Sequence, residues 1–416
     1  MTGTDAGTAT PLRPVVRLPA RRRGTVLRIG LPSLAAVGGA DALALGAIAL
    51  FLTGFGLLMV LSASSVEEGA AGNPFSSFAT QGAAALIGVG AMLAIAARLK
   101  ASLLPRIAPL VFFPAVALQL VTSVFGVSAG GNRNWLRVAG VSVQPSEFVK
   151  VGLVLVLAAF FANRPGERLS LRRLVPVLVF SGLALGSVYL GHDLGTCLII
   201  AMIIVGGLWF GGVRLPVLII PGVVSALVLV SVAQGDGSRV GRVSAYLGGC
   251  TDLLGTCWQS KQAEWALANG GLTGVGVGGS VSKWFWLPEA DNDFIGAVVG
   301  EETGLLGLVV LIACFVALTV VLLRIAGGGD RFARAAAGMA IAWLVGQAFA
   351  NLAVVLGLLP VFGVPLPFVS AGGTSLIANL VLVGLVMAVA DRPFTAQADR
   401  SGRADHPAGR ALQATR

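Results

Sequence analysis

Charge is what this sequence has least of. Only 12% of its 416 residues are Asp, Glu, Lys or Arg, against roughly a quarter in an ordinary soluble domain, which excludes that class. Imidazole is scarcer still. His192 and His406 are the only histidines, so a metal pair built on cysteine and histidine is not expected. The formal charge of +10 does not point to nucleic acid, because the Lys and Arg residues sit in tails and short loops. Apolar sequence, at 56%, is what the chain has in excess. Apolar runs of about 18 residues or more recur along it, each long enough to span a hydrocarbon core as a helix. The fold class expected is therefore an all-α polytopic membrane protein.

Ten spans are expected, at 42–63, 80–97, 107–126, 145–162, 174–190, 195–211, 215–234, 295–323, 333–356 and 373–390. With both termini in the cytoplasm, Arg98, Lys100 and Arg106 lie inside, as do Arg164, Arg168, Arg172, Arg173, Arg214, Arg324, Arg331 and Arg334. That satisfies the positive-inside rule loop after loop. The first run begins at Asp41, is too long for a signal-peptide core and heads a series of similar segments, so no cleaved leader is expected. The membrane block is 41–391, with its largest loop, about 235–294, facing outward. Cys197 and Cys314 fall within spans and read as packing residues. Cys250 and Cys257 lie in the outer loop, where a disulfide bracing the loop is favoured over two free thiols. The tails, 1–40 and 392–416, are rich in Arg, Ala, Gly, Thr and Pro and read as disordered; their plain role is anchoring near an anionic inner leaflet.

Acids are few, yet Glu289, Asp291, Asp293, Glu301 and Glu302 crowd into "WFWLPEADNDFIGAVVGEETG", about a quarter of the 19 acidic residues. Asn292 or Asp293 can cap the eighth span. Gly296, Gly300 and Gly304 recur every four residues, an edge on which another helix can pack closely. Glu301 and Glu302 fall two turns into that span, where a carboxylate needs a basic or backbone partner.

Three more outward segments are polar. In "GNRNWLRVAGVSVQPSEFVK", Arg133 and Arg137 stand outside against the charge rule, which suits an anionic ligand. Pro145, Ser146 and Glu147 suit a helix start, with Lys150 one turn on. The segment is either an ordinary helix start with an ion pair or a polar cavity wall. In "GHDLGT", Asp193 either caps the next helix or faces the cavity. The glycine run "ALANGGLTGVGVGGS" either brings backbone amides to phosphate oxygens or is a lid or plain loop. Finally, the prolines and glycines of "GLLPVFGVPLPFVSAGGTSLIANL" forbid regular helix. Such backbone is tolerated at membrane depth where it lines a cavity or is buried in protein; Ser370, Gly372 and Gly373 belong to that break. Residue patterns alone leave a proton-coupled transporter and a lipid-substrate enzyme open.

These segments, in this order, resemble the SEDS family (shape, elongation, division and sporulation proteins, typified by FtsW and RodA). "NWLRVAGVSVQPSEFVK", "HDLGT", "ALANGGLTGVGVG", "LPEADNDFIGAVVGEETGLLG" and "NLAVVLGLLPVFGVPLPFVSAGGTSL" carry the resemblance across roughly 42–391. "LMVLSASSV" and Ala290 look more like the division branch. The resemblance implies ten spans and a peptidoglycan glycosyltransferase that polymerises lipid II at the outer face of the cytoplasmic membrane, at the septum. It implies a class B penicillin-binding protein transpeptidase as partner, beside other division proteins. The acid before "FI", Asp293, maps onto the family's catalytic carboxylate. Asp291 stands where the family commonly has His, Asn292 where it has Thr, and His192 where it has Pro.

Lipid II is α-linked and glycan is β-1,4-linked, so transfer inverts the anomeric carbon and needs one base, expected to be Asp293. The departing pyrophosphate needs positive charge. Arg133, Arg137 and Lys150 are candidates by location. A divalent cation, Mg²⁺ or Mn²⁺, is the other source, with Asp293 and Glu289 as candidate ligands and Glu302 as a further helper. A lipid II flippase and a non-catalytic division scaffold are the alternatives.

Overall fold

The structure, a computed structural model, describes residues 39–129, 132–138, 141–163, 174–213, 246, 252, 255 and 257–390. Six apolar helices come first: α1 (Ala40–Ala70), α2 (Ser76–Arg98), α3 (Leu104–Phe125), α4 (Pro145–Ala162), α5 (Val175–Tyr189) and α6 (Leu194–Phe210). A shorter, more polar helix follows, α7 (Trp258–Gly270), and then α8 (Ile295–Gly328), α9 (Arg331–Val355) and α10 (Gly373–Ala390). Among the described residues seven of these are long and apolar enough to cross a membrane, and α5 and α6 are shorter apolar helices. Together they occupy nine of the ten expected spans. The expected seventh span, 215–234, lies outside the described residues, as do Cys250 and nearly all of both tails.

Local chemistry sets the helix starts. Pro145 opens α4, where a missing N–H removes nothing from the helix. Asp193 caps α6 and Asp330 caps α9, each accepting a backbone N–H three residues on. Helix α9 is continuous except for a π-turn at Ile341–Val345. Burial then sorts the helices. In the most apolar stretch of α4, α10 and α9, 78%, 72% and 67% of residues are buried, against 28% in α2 and 33% in α3 and α8. The first three form the centre of the bundle and the others its lipid-facing rim.

Two departures from a plain bundle matter for the site. The polar segment before α4 is a small antiparallel sheet in the order β1-β2-β3, from Val127–Ala129, Asn132–Val138 and Val141–Val143. Arg133 and Arg137 both lie on its central strand. The second is a break in α8. Gly304 has φ 68° and ψ −168° inside the helix, a left-handed excursion open to glycine. The glycine loop after α7 fills the gap: Val275 N and Gly276 N donate to the carbonyls of Glu301 and Glu302, at 3.0 Å each. Leu305 N and Leu306 N donate in turn to Gly271 and Leu272 carbonyls, at 2.9 and 3.2 Å. The loop thus supplies the hydrogen bonds that the helix gives up. The edge expected at Gly296, Gly300 and Gly304 is therefore only partly a helix-packing edge. Gly300 meets Gly270 of α7, Gly296 faces α9, and Gly304 receives a loop.

Candidate active site at the loop end of the bundle

The turn 289–293 is wound tightly ahead of α8, with the amides of Asn292 and Phe294 both donating to the Glu289 carbonyl. Glu289 itself has φ 55°. A second loop, 360–372, is zipped against this turn. Ser370 Oγ donates to the Asn292 carbonyl at 2.7 Å while accepting from Leu366 N at 2.7 Å. Ala371 N donates to the Asp291 carbonyl at 2.8 Å. From α9, Asn351 Nδ2 lies 2.7 Å from both the Asp293 carbonyl and the Val364 carbonyl. Gln81 of α2 grips the far end of the loop, donating to Ser370 O and accepting from Gly372 N, both at 3.0 Å. Gly373 packs with its Cα facing Ala84 of α2. Ser370, Gly372 and Gly373 thus hold the loop in place.

Asp293 is half-buried in this frame. A methyl added at Gly363 would lie 3.4 Å from its Oδ2, and Gly363, at φ 68°, leaves the approach clear. Behind that loop sits the start of α6: a methyl at Gly195 would come within 2.6 and 2.8 Å of the Phe362 and Gly363 carbonyls. One loop therefore separates Asp293 from Asp193. Asp193 accepts from Thr196 N at 2.9 Å and Thr196 Oγ1 at 2.7 Å, with Gln144 Nε2 at 3.4 Å from its Oδ2. Gln144 N lies 3.4 Å from Thr374 Oγ1 of α10. These bonds draw the starts of α4, α6 and α10 toward the start of α8. Each helix start carries a partial positive charge of roughly +0.5, so the backbone offers an anion a favourable field there.

The other candidates are placed differently. Glu147 and Lys150 form a buried ion pair of 2.8 Å inside α4, and the Lys150 ammonium sits 4.5 Å over the Trp343 ring in the π-turn of α9. Its charge is met by protein. Arg133 and Arg137 are exposed on β2, where the Arg133 amide donates to Gly191 O at 2.8 Å and ties the sheet to the α5–α6 turn. Glu302 Oε1 accepts from Ser62 Oγ at 2.6 Å, Lys283 Nζ at 3.1 Å and Ser280 N at 3.4 Å. Glu301 accepts from Asn269 Nδ2, Val281 N, Ser280 Oγ and Ser282 N, between 2.5 and 3.3 Å. The amides at 275, 276 and 280 of the glycine run, and those of Val281 and Ser282 just after it, are thus taken up by protein acceptors. Cys257 is disulfide-bonded, and Cys197 and Cys314 are free.

Asp291 is the electrostatic outlier. Burial raises its carboxyl to about 6, opposed by a hydrogen bond from its own backbone and reinforced by Glu289, Glu67 and Glu68. Sequence reasoning missed Glu67 and Glu68, in the last turn of α1. The signal was there: acids at a helix C-terminus oppose its dipole. Asn351, Gln81 and Lys283 were missed as well, and nothing in the local sequence marks their distant partners.

A family model described as "Cell cycle protein", for FtsW, RodA and SpoVE, matches residues 43–393. A protein of Mycobacterium tuberculosis, "Probable peptidoglycan glycosyltransferase FtsW", is 38% identical over 369 residues, 86% of this chain and 70% of that one. One of the same name in Trichlorobacter lovleyi is 36% identical over 345 residues, 81% and 89% of the two chains. Among solved structures, a chain from a peptidoglycan synthase complex that coordinates polymerization and crosslinking is similar, with TM-score 0.67 and 24% identity over 82% of this chain and 96% of that one. The rod shape determining protein RodA of Thermus thermophilus is similar with TM-score 0.61 and 23% identity, over 83% and 95%. Those two likenesses concern the fold. With a model spanning nearly the whole membrane block and relatives above one-third identity, the chain belongs to the FtsW–RodA–SpoVE family of cell cycle proteins.

Proposed function

We propose that this chain is a peptidoglycan glycosyltransferase that polymerises lipid II, with Asp293 as the general base. The observation that carries the reading is the zipped pair of loops, 289–293 and 360–372. They hold one half-buried carboxylate beside a glycine, at the end of the bundle where four helix starts are drawn together. Asp293 takes the proton of the acceptor's 4-OH. The freed oxygen attacks C1 of the donor N-acetylmuramic acid from the face opposite the pyrophosphate. The C1–O bond breaks with its electron pair going to undecaprenyl pyrophosphate, and the α-linkage becomes β. A positioned base contributes about 10²- to 10⁴-fold.

Among the described residues no three His, Cys, Asp or Glu side chains group into a metal cage. Mg²⁺ commonly needs only one or two carboxylates beside substrate phosphates, and Asp293 with Glu289, in the same turn and already accepting from Asn292 Nδ2 at 3.3 Å, would be its ligands. Such a cation, Mg²⁺ or Mn²⁺, would neutralise charge on the leaving pyrophosphate. The exposed arginines Arg133, whose Nη1 also donates to the Val124 carbonyl at 3.4 Å, and Arg137 are, unlike the buried Lys150, candidates for a ligand's phosphates. Both termini lie in the cytoplasm and the site faces outward, on the arginine distribution. The division branch, and with it septal placement and a class B penicillin-binding protein partner, rests on the FtsW-named relatives.

The test is polymerisation of lipid II by purified Asp293→Asn together with its transpeptidase partner. Loss of polymer with an unchanged melting temperature is expected. Wild-type rates would remove Asp293 from the role of base.

A further inference from the structure

Outside the site, the loop between α7 and α8 is unusually apolar for an exposed segment. Leu272, Val277, Val281, Trp284, Phe285 and Trp286 are each more than half exposed. From Gly270 to Pro288 the only charged side chain is Lys283, and its ammonium is buried against Glu302 at 3.1 Å. No charge on this stretch reaches solvent. An uncharged apolar band of this kind on a water-facing loop marks a surface meant for something less polar.

Its height along α8 says what that is. From Leu305 to Arg324 the helix rises about 30 Å at about 1.5 Å per residue, the thickness of a hydrocarbon core. Arg324, well exposed and 3.9 Å from Asp41, marks one boundary. Leu305 and Leu306, more than half exposed on the lipid-facing rim, mark the other. Leu272 is fastened there, since its carbonyl accepts from Leu306 N. Val275 and Val281 are held to the same helix turn through Glu301, and Trp284 N closes a turn on Val281 O. The band is therefore continuous with the lipid-facing surface of α8 and begins at the edge of the hydrocarbon. Indole rings favour that depth, with an apolar body and a polar N–H.

We infer that residues 272–286 seat in the headgroup region of the bilayer as an interfacial ridge. The pins at Glu301 and Glu302 keep the ridge on α8. The ridge in turn sets the height of the 289–293 turn above the membrane. On the glycosyltransferase reading, that height is where the headgroup of a lipid-linked sugar emerges.

The test places nitroxides at Val277→Cys and Trp284→Cys in the full chain, in nanodiscs of phosphatidylethanolamine and phosphatidylglycerol without partner. A Cys314→Ser background suffices, because Cys197 is buried and Cys257 is disulfide-bonded. Glu264→Cys, exposed on α7, is the aqueous reference, and monodisperse elution checks folding. Labels at 277 and 284 are expected to collide more with oxygen than with an aqueous nickel chelate, the reverse of 264. Collision behaviour matching 264 would overturn the inference. So would protection that appears only after a transpeptidase partner is added, because the band would then be a protein-docking surface. Depth is read without polymer formation, so this failure is distinct from failure of the catalytic reading.

Discussion

Two groups of carboxylates, separated by seven residues of one short stretch, have opposite fates. Glu301 and Glu302 are buried and surrounded by donors: two serine hydroxyls, an asparagine amide, backbone N–H groups and one ammonium. In the group just before α8, Glu289 accepts from Asn292 Nδ2 at 3.3 Å, while Asp291 has Glu289, Glu67 and Glu68 for neighbours. A buried carboxylate must be met by donors or it is neutralised. Where the fold supplies the donors, the acid becomes a structural pin. Where burial and neighbouring acids outweigh them, as at Asp291, the acid holds its proton more tightly. Residue type is the same in both groups, and the neighbours decide the role.

That contrast can be broken most sharply by exchanging a charge in each group. Asp293→Asn should cost about 10²- to 10⁴-fold in polymerisation and leave thermal unfolding near wild type, because its carboxylate is only half-buried. Lys283→Met should do the reverse. It strands Glu302 as a buried unpaired charge, worth about 3–5 kcal/mol of stability, read as a lowered melting temperature in detergent. The double variant Lys283→Met with Glu302→Gln should regain part of that loss, since it removes the stranded charge. If Lys283→Met melted like wild type, the pin would not be one.

The seam between the two groups gives the next effect. Gly304→Ala would put a methyl within 2.4 Å of Gly274 N and 2.5 Å of the Leu272 carbonyl, at a φ of 68°. Strain of that kind costs about 1–3 kcal/mol, and the clash adds to it. The expected signature is faster amide exchange at Val275, Gly276, Leu305 and Leu306, whose bonds cross the break. An unchanged exchange rate at all four would mean the loop is not inserted as described.

Much of this was legible in the sequence, and what was not has a common cause. Nine spans follow from apolar runs, and the cap at Asp193 and the opening at Pro145 follow from local chemistry. The broken backbone at 360–372 follows from its prolines and glycines. The missing parts are joined by distance: Gln81 to Ser370, Asn351 to Asp293, Lys283 and Ser62 to Glu302. No short window of sequence contains both ends of any such bond; even Lys283 and Glu302 lie 19 positions apart, outside helical or turn spacing. The strands at 127–143 escaped because they are short and their segment ends in a strong helix start.

Asn351 offers a subtler test of the mouth. Asn351→Leu leaves two buried carbonyls, of Asp293 and Val364, without their 2.7 Å donor, at about 1–3 kcal/mol for each unsatisfied group. Part of that should appear as a fall in kcat at unchanged lipid II KM, because the base loses its anchor while the rest of the site stands. A change in KM alone would assign Asn351 to substrate binding.

The smallest effect concerns Asp291, whose carboxyl is raised to about 6, chiefly by burial. A raised folded-state value means the folded protein prefers the protonated acid. Its contribution to stability is therefore complete below the unfolded-state value of about 4 and is lost as pH rises through about 6. Asp291→Asn removes the titration. The melting temperature of wild type relative to the Asn variant should fall as pH rises from about 4 to about 6 and level off above that. Asp293→Asn, tested over the same range, should retain the fall, because burial and the acids around Asp291 remain in place. A flat wild-type difference would show that Asp291 reaches solvent more freely than its neighbours in the fold allow, and the mouth would then be wetter than its geometry implies.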